Sequence, residues 1–210
     1  MTRLVLATRN HHKVEEMREI LADVCTQLDL EIVGLDEFPD APDVVEDGVT
    51  FETNAVLKAQ SAAEATGLPA LADDSGLAVD VLGGAPGIFS ARWSGRKGAG
   101  ADRPNLELLL AQLDDVRDEH RGAAFVCAAA LVLPDGRSAV EVGRFPGQVA
   151  REPRGTGGFG YDPIFVPDGQ PDASLERTLA EYSPAEKNGV SHRHVAFRAL
   201  VPRLRELLRP

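Results

Sequence analysis

Cysteine is scarce. Cys25 and Cys127 are the only two in 210 residues, which excludes a disulfide framework and a cysteine-rich zinc module. Long apolar runs are missing too. The run Leu4 to Ala7 is too short for the core of an export signal. The longest uncharged apolar run, 123–133, falls well below the roughly 18 residues that span a bilayer. These absences lead us to expect a soluble protein of a reducing cytoplasm, with no membrane partner. Positive charge is in deficit: 22 Lys and Arg against 33 Asp and Glu leave a net charge of −11. A field of that sign repels a nucleic-acid polymer, although a small polyanion could still sit in a local basic pocket. Internal repeats and low-complexity linkers are absent. So are the G-x-x-x-x-G-K-[ST], H-E-x-x-H and G-x-S-x-G signatures.

What is there is ordinary globular composition, 43% hydrophobic and 26% charged, in a chain sized for one to two domains. Strand-like and helix-like stretches alternate. Leu4 to Ala7 reads as a strand stopping at Thr8-Arg9-Asn10, after which Val14, Met17, Leu21 and Val24 follow helical spacing. A second strand is expected over 30–35. An alanine-rich helix should follow over 51–65, with Thr50 as its N-cap and Gly67 ending it. Residues 69–72 read as a buried strand that enters a turn at Asp73-Asp74-Ser75-Gly76, with strand resuming over 77–82. Asp102 with Leu106, Leu109, Leu110 and Leu113 marks a helix. Stretches 123–133 and 138–144 around Pro134-Asp135-Gly136 read as a hairpin. Ser191 should cap a final helix carrying Phe197, Leu200, Leu204 and Leu207 on one face, with Pro202 placed to kink it. The class is α/β with a mixed sheet.

Five polar clusters interrupt this framework. Thr8-Arg9-Asn10 with Lys13 stands at a strand end and a helix start, where free N–H groups could meet an anion or simply be capped. Asn54 and Lys58, four residues apart, share a helix face that could hold a phosphate or merely be hydrated. The adjacent carboxylates Asp73 and Asp74 repel unless a hard divalent metal or hydrogen-bond donors compensate. The loop Gly155 to Gly160 matches G-x-G-x-x-G but neither follows a strand nor opens a helix, so a dinucleotide site is rejected. Its aromatics Phe159 and Tyr161 could face a base or pack inward. Lys187, His192 and Arg193 form the last cluster, donors that beside a base would suit a keto oxygen, or, with Ser191, simply the start of a capped helix.

The clusters also occur in a familiar order: Ala7 to Lys13, Thr50 to Ala59, Ala72 to Leu77, Gly83 to Gly87, Gly157 to Pro163 and Ser191 to Arg193. From Leu4 to about Ala199 the chain resembles the inosine triphosphate pyrophosphatase family, which clears noncanonical purine nucleotides. The resemblance implies an elongated mixed β-sheet flanked by helices, in two lobes of one domain with the active-site cleft between them. It implies a homodimer that hydrolyses ITP, dITP and XTP to the monophosphate and pyrophosphate with Mg²⁺. Thr8, Arg9, Asn10, His11, His12 and Lys13 would embrace the phosphates, helped by Lys58. Asp74 would be the catalytic aspartate, as metal ligand or general base, and Ser75 a substrate contact. Phe159, Gly160, Tyr161 and Asp162 would hold base and sugar, completed by Lys187, His192 and Arg193. The second metal carboxylate falls in the loop before Thr50, where Glu46 is preferred over Asp47. Arg9 and Trp93 depart from what many relatives carry. In this chemistry the metal acidifies water, a carboxylate orients it, and lysines neutralise the leaving pyrophosphate. His192 or Arg193 donating to the purine O6 would then discriminate against adenine.

Overall fold

The computed structural model describes residues 2–98, 100–170 and 176–208, without the side chains of His12, Pro184, Ala185 and Asn188. In chain order the elements are β1 (Thr2–Leu6), α1 (His11–Ile20), α2 (Ala22–Leu28), β2 (Leu30–Gly34), α3 (Phe51–Thr66) and β3 (Ala70–Val79). They continue with α4 (Asp102–Gln112), β4 (Gly122–Val132), β5 (Ser138–Val149), β6 (Phe165–Pro167), α5 (Pro184–Val190) and α6 (His192–Leu207). The strands form one mixed sheet in the order β2-β1-β3-β4-β5-β6. β1 runs parallel to β2 and β3, so Val5 lies opposite both Val33 and Ala70. β5 and β6 are antiparallel. This is the α/β class with helices flanking a mixed sheet that the sequence implied.

The chain divides into two compact units. The first holds the chain up to Asp74, Cys127–Gly143 and the chain from His192 onward; the second holds Ser75–Val126 and Arg144–Ser191. In the first unit, strand alternation builds two cores. Leu4, Leu6, Ile32, Leu71, Cys127, Ala129 and Leu131 pack with α1, α2 and α6. Val5, Val33, Ala70, Ala72, Ala128, Ala130 and Val132 pack with α3. Ala55, Ala59, Ala62 and Ala63 are the buried face of α3, and such small side chains let a helix sit close on a sheet. Its ends are as expected: the Thr50 hydroxyl accepts the Thr53 N–H at 3.1 Å, and the Gly67 N–H reaches Ala63 O at 2.9 Å. The second unit packs Leu106 and Leu109 of α4, and Leu113 just after it, with Leu77, Val79, Phe125, Ile164 and Phe165. Phe125 meets Phe165 edge-on at 4.7 Å.

Several expectations need correcting. The helical run through Val24 is two helices, broken at Leu21, whose backbone (φ −106°, ψ 12°) is not helical although its side chain is buried. The turn at Asp73-Asp74-Ser75-Gly76 does not exist: β3 runs through all four residues, because buried cations compensate the carboxylates. β5 extends beyond residue 144 to Val149; Pro146 lies just outside the three residues paired with β6. α6 is continuous through Pro202. It lies so close to β5 that a Cβ on Gly143 would come within 2.4 Å of His192 O and Ala196 N, so only glycine fits there.

Candidate active site

Neighbouring residues of a strand point to opposite faces, and β3 uses this on its two carboxylates. Asp73 lies on the face packed by α1 and α6. Arg193, at the start of α6, donates to Asp73 Oδ2 from Nη2 at 2.9 Å and Nε at 3.1 Å, and from Nη1 to Glu16 of α1 at 2.8 Å. Lys13, one turn before Glu16, reaches Asp73 Oδ1 at 3.3 Å. Burial alone would raise the Asp73 pKa, but the charges of Arg193, Lys13 and Lys58 overcome it and hold the carboxyl well below the usual aspartate range. Arg193 is only 5% exposed, and the Asp73 and Glu16 charges keep it protonated against its burial. The sequence reading gave its donors to a purine oxygen; the fold commits all three of its nitrogens to carboxylates.

Asp74 lies on the α3 face. Asn54 Nδ2 donates to its Oδ2 at 3.0 Å, and Lys58 Nζ stands 3.5 Å from Oδ1. The shared face of Asn54 and Lys58 therefore points at a carboxylate rather than at water. Burial pushes the Asp74 pKa up, the Glu46 and Asp73 charges add to that, and Lys58 and Asn54 counteract only in part. The two carboxyls of the pair are thus pushed in opposite directions, Asp73 down by its cations and Asp74 up by burial, a separation of the kind found at acid–base sites.

Glu46 Oε1 lies 3.2 Å from the same Lys58 ammonium, so Glu46 and Asp74 converge on one cationic point. Among the described residues no group of three or more His, Cys, Asp or Glu is arranged to hold a metal. Two hard carboxylates suit Mg²⁺, which takes one or two protein carboxylates and fills its shell from substrate phosphates and water. At the end of β1, the Thr8 hydroxyl accepts the Asn10 N–H at 3.2 Å, and Asn10 O accepts the Val14 N–H of α1. Arg9 turns to Asp43 and Ala41. His11 is largely exposed, 3.9 Å from Asp36. The side chain of His12 lies outside the described residues. His192 is buried at the head of α6, and Ser75 is half-buried on β3.

The second unit gathers Phe159, Gly160, Asp162 and Lys187. Asp162, 2% exposed, accepts from Lys187 Nζ at 2.5 Å and from the Phe159 N–H at 2.8 Å. The Lys187 ammonium lies 4.5 Å from the centre of the Phe159 ring, which is 66% exposed. The Gly160 N–H donates to Asp102 at 2.9 Å. Tyr161 departs from expectation: its ring is in the core and its hydroxyl donates to Ser90 O at 2.9 Å, so Phe159 alone offers an aromatic face. Trp93 packs at the edge of that core, its indole N–H on Gln112. A cavity of about 480 Å³ in this unit, near Arg121, Arg151 and Arg154, contains none of the expected residues. Arg121 there is spent on the carbonyls of Leu113, Val149 and Ala150.

Sequence reasoning missed Glu16 as the second acceptor of Arg193; it set Asn54 on a face open to phosphate or water and left the choice of base between Asp73 and Asp74. The signal for Glu16 was its i+3 spacing from Lys13, which places both on one face of α1.

Comparison with known proteins fits this arrangement. Residues 4–203 match the model of the Ham1 family. A dITP/XTP pyrophosphatase of Streptomyces coelicolor is 62% identical over 208 residues, 99% of this chain and 100% of that one. The structure of a HAM1 protein from Coxiella burnetii superimposes with a TM-score of 0.84 at 42% identity, covering 98% of this chain and all of that one. A nucleoside-triphosphatase / dITP/XTP pyrophosphatase from Mycobacterium abscessus has a TM-score of 0.78 at 49% identity, covering 97% of this chain and all of that one. With that family's model spanning nearly its whole length, the chain belongs to the Ham1 family.

Proposed function

We propose that the chain hydrolyses deaminated purine nucleoside triphosphates, dITP, ITP and XTP, to the monophosphate and pyrophosphate, in the presence of Mg²⁺. The observation that carries this reading is the split pair on β3: Asp73 is neutralised by Arg193 and Lys13, while Asp74 is left half-compensated beside Lys58 and Glu46. The relatives' substrate names supply the nucleotide class.

Asp74 and Glu46 would hold the Mg²⁺. When bound, the ion supplies compensation for phosphate charge and acidifies nearby water. Asp74 would orient the attacking water or, with Asp73 close by, take its proton. Lys58 and Lys13 already sit on carboxylates and exchange them for phosphate oxygens, which neutralises the leaving pyrophosphate. Phe159 offers the purine a stacking face, and the Lys187 ammonium stays beside it through Asp162. No side-chain nucleophile is needed: Cys25 and Cys127 are free thiols, and burial pushes the Cys127 thiol pKa upward, away from reactivity.

A cytoplasmic homodimer completes the proposal. None of the described helices is long and apolar enough to cross a membrane, nucleoside triphosphates are consumed in the cytoplasm, and exposed Val81, Phe89 and Leu108 give a second copy apolar surface to cover. Light scattering on the purified chain reads the dimer. The test of function is pyrophosphate release from dITP, XTP, dGTP and dATP, each with Mg²⁺ and with excess EDTA. Release from dITP and XTP in Mg²⁺ alone is expected. Equal turnover of dATP would make it a general nucleotide pyrophosphatase, and release in EDTA would remove the metal.

A further inference from the structure

We propose that Arg9 is a positioning residue: it latches the strap 41–48 and thereby sets Glu46, instead of contacting substrate phosphate. The inference rests on the metal role proposed for Glu46. The Arg9 guanidinium forks onto two points at the root of the strap, Nη1 to Asp43 Oδ1 at 2.5 Å and Nη2 to Ala41 O at 2.6 Å. Ala41 is buried against the α3 core, and its N–H reaches Phe38 O. The root is therefore fixed. Farther along, Glu46 meets Lys58 at 3.2 Å. At the far end Gly48 lies hard against α3, where a Cβ would come within 2.5 Å of Asn54 Oδ1 and 2.8 Å of Thr53 Cγ2. These contacts enclose a cavity of about 350 Å³ lined by Thr8, Arg9, Asp43, Val44, Glu46 and Lys58.

Between its buried root and Gly48 the strap has little apolar anchorage: Val45 is 79% exposed, and Val49 just past its end 85%. Lys58 is also the residue that phosphate would draw away. Once it turns to substrate, Glu46 loses that tie, and the Arg9 fork remains as the contact that keeps the strap in place. A lysine at position 9 would keep the charge but lose the planar two-point grip. A phosphate contact, in contrast, needs the charge and not the fork.

Four variants separate the two roles: Arg9→Lys, Arg9→Ala, Asp43→Asn, and Arg9→Lys together with Asp43→Asn. Two readouts are compared, backbone hydrogen exchange across 42–49 in the metal-free protein, and steady-state kinetics at varied Mg²⁺ and ITP. The latch predicts exchange faster by about tenfold in each single variant, as local opening becomes easier. It predicts that the Mg²⁺ concentration for half-maximal rate rises roughly threefold to tenfold, a size suited to an exposed pair reinforced by a carbonyl contact. KM for ITP at saturating Mg²⁺ should move less than about twofold, and the effects of the two single variants should fall short of adding in the double variant, since both weaken the same fork. Unchanged exchange in Asp43→Asn overturns the latch. So does a large rise in ITP KM for an Arg9→Ala protein that Arg9→Lys restores. A wild-type protein that releases no pyrophosphate overturns the proposed function instead, and the exchange measurement still judges the latch.

Discussion

The two faces of β3 treat neighbouring, chemically identical side chains in opposite ways. On the α1 and α6 face, Asp73 meets an arginine fork and a lysine, and the arginine is itself braced by Glu16. On the α3 face, Asp74 meets one amide and one lysine that it shares with another carboxylate. The first face builds a charge network held by the buried Arg193 fork, from which the part-exposed Lys13 can turn away while Asp73 keeps its arginine. The second builds an open one, where Lys58 can change partners and Asp74 can change protonation. On the proposed reading, stability is placed mainly on one side of the strand and chemistry on the other, one residue apart.

The sharpest way to break this comparison is Asp74→Asn. The fold should survive, because the amide keeps the shape and the face is not closed, while kcat falls by about 10² to 10⁴ as expected for a lost acid–base group. Near-normal turnover in a protein with an unchanged circular dichroism spectrum would mean that the open face is not the reacting one.

Arg193→Ala attacks the closed face. It leaves the buried Asp73 with Lys13 as its cation and the half-buried Glu16 without its arginine, and should cost about 3–5 kcal/mol in urea unfolding. The lowered pKa of Asp73 means that its contribution to stability is fully present above the ordinary aspartate value of ~3.9 and is lost only as pH falls through its lower folded value. Acid unfolding of the variant should therefore begin at higher pH than in the parent. ITP and ATP turnover should fall by one common factor. Unequal factors would restore base reading to Arg193.

Phe159→Ala tests whether the second unit contributes recognition without stability. At 66% exposure the ring should hardly affect melting, but losing a stacking face should weaken substrate by roughly 1–3 kcal/mol, read as a higher KM with little change in kcat. A large drop in melting temperature with unchanged KM would recast the ring as structural. The smallest effect is at Glu186. Its carboxylate accepts from the Ser183 N–H, with the Ser183 hydroxyl and Arg177 adding to the effect, and its pKa is lowered to about 2. That support for the first turn of α5 is present above the ordinary glutamate value near ~4.3 and is lost as pH falls through about 2. NMR titration of the Glu186 side chain should find the depressed value; an ordinary one would mean that the capping box is not formed in solution.

How much of this was legible beforehand can be followed residue by residue. Thr50 and Gly67 bounded α3 correctly because capping is local: a hydroxyl three residues from an N–H and a glycine free to turn need no distant partner. The leucines of α4 and the hairpin around Pro134-Asp135-Gly136 were readable for the same reason. Asp73-Asp74-Ser75-Gly76 was misread as a turn because the cations that let a strand carry two acids lie elsewhere in the chain, Lys13 60 positions away and Arg193 120. Tyr161 was misread because neither its spacing nor its type says that its hydroxyl will find Ser90 O across 71 positions.

The sequence by itself determined the α/β alternation, the helix limits written in caps and glycines, and which polar clusters matter, since each of these depends on interactions within a few residues. Tertiary structure alone decided how those clusters are used. Strand parity sends Asp73 and Asp74 to opposite faces, but only the packing of α1, α3 and α6 decides which cations each one meets. Charge energies depend on distance and burial and not on separation along the chain, so the same pair of aspartates becomes one fixed anion and one responsive acid only when the fold is complete.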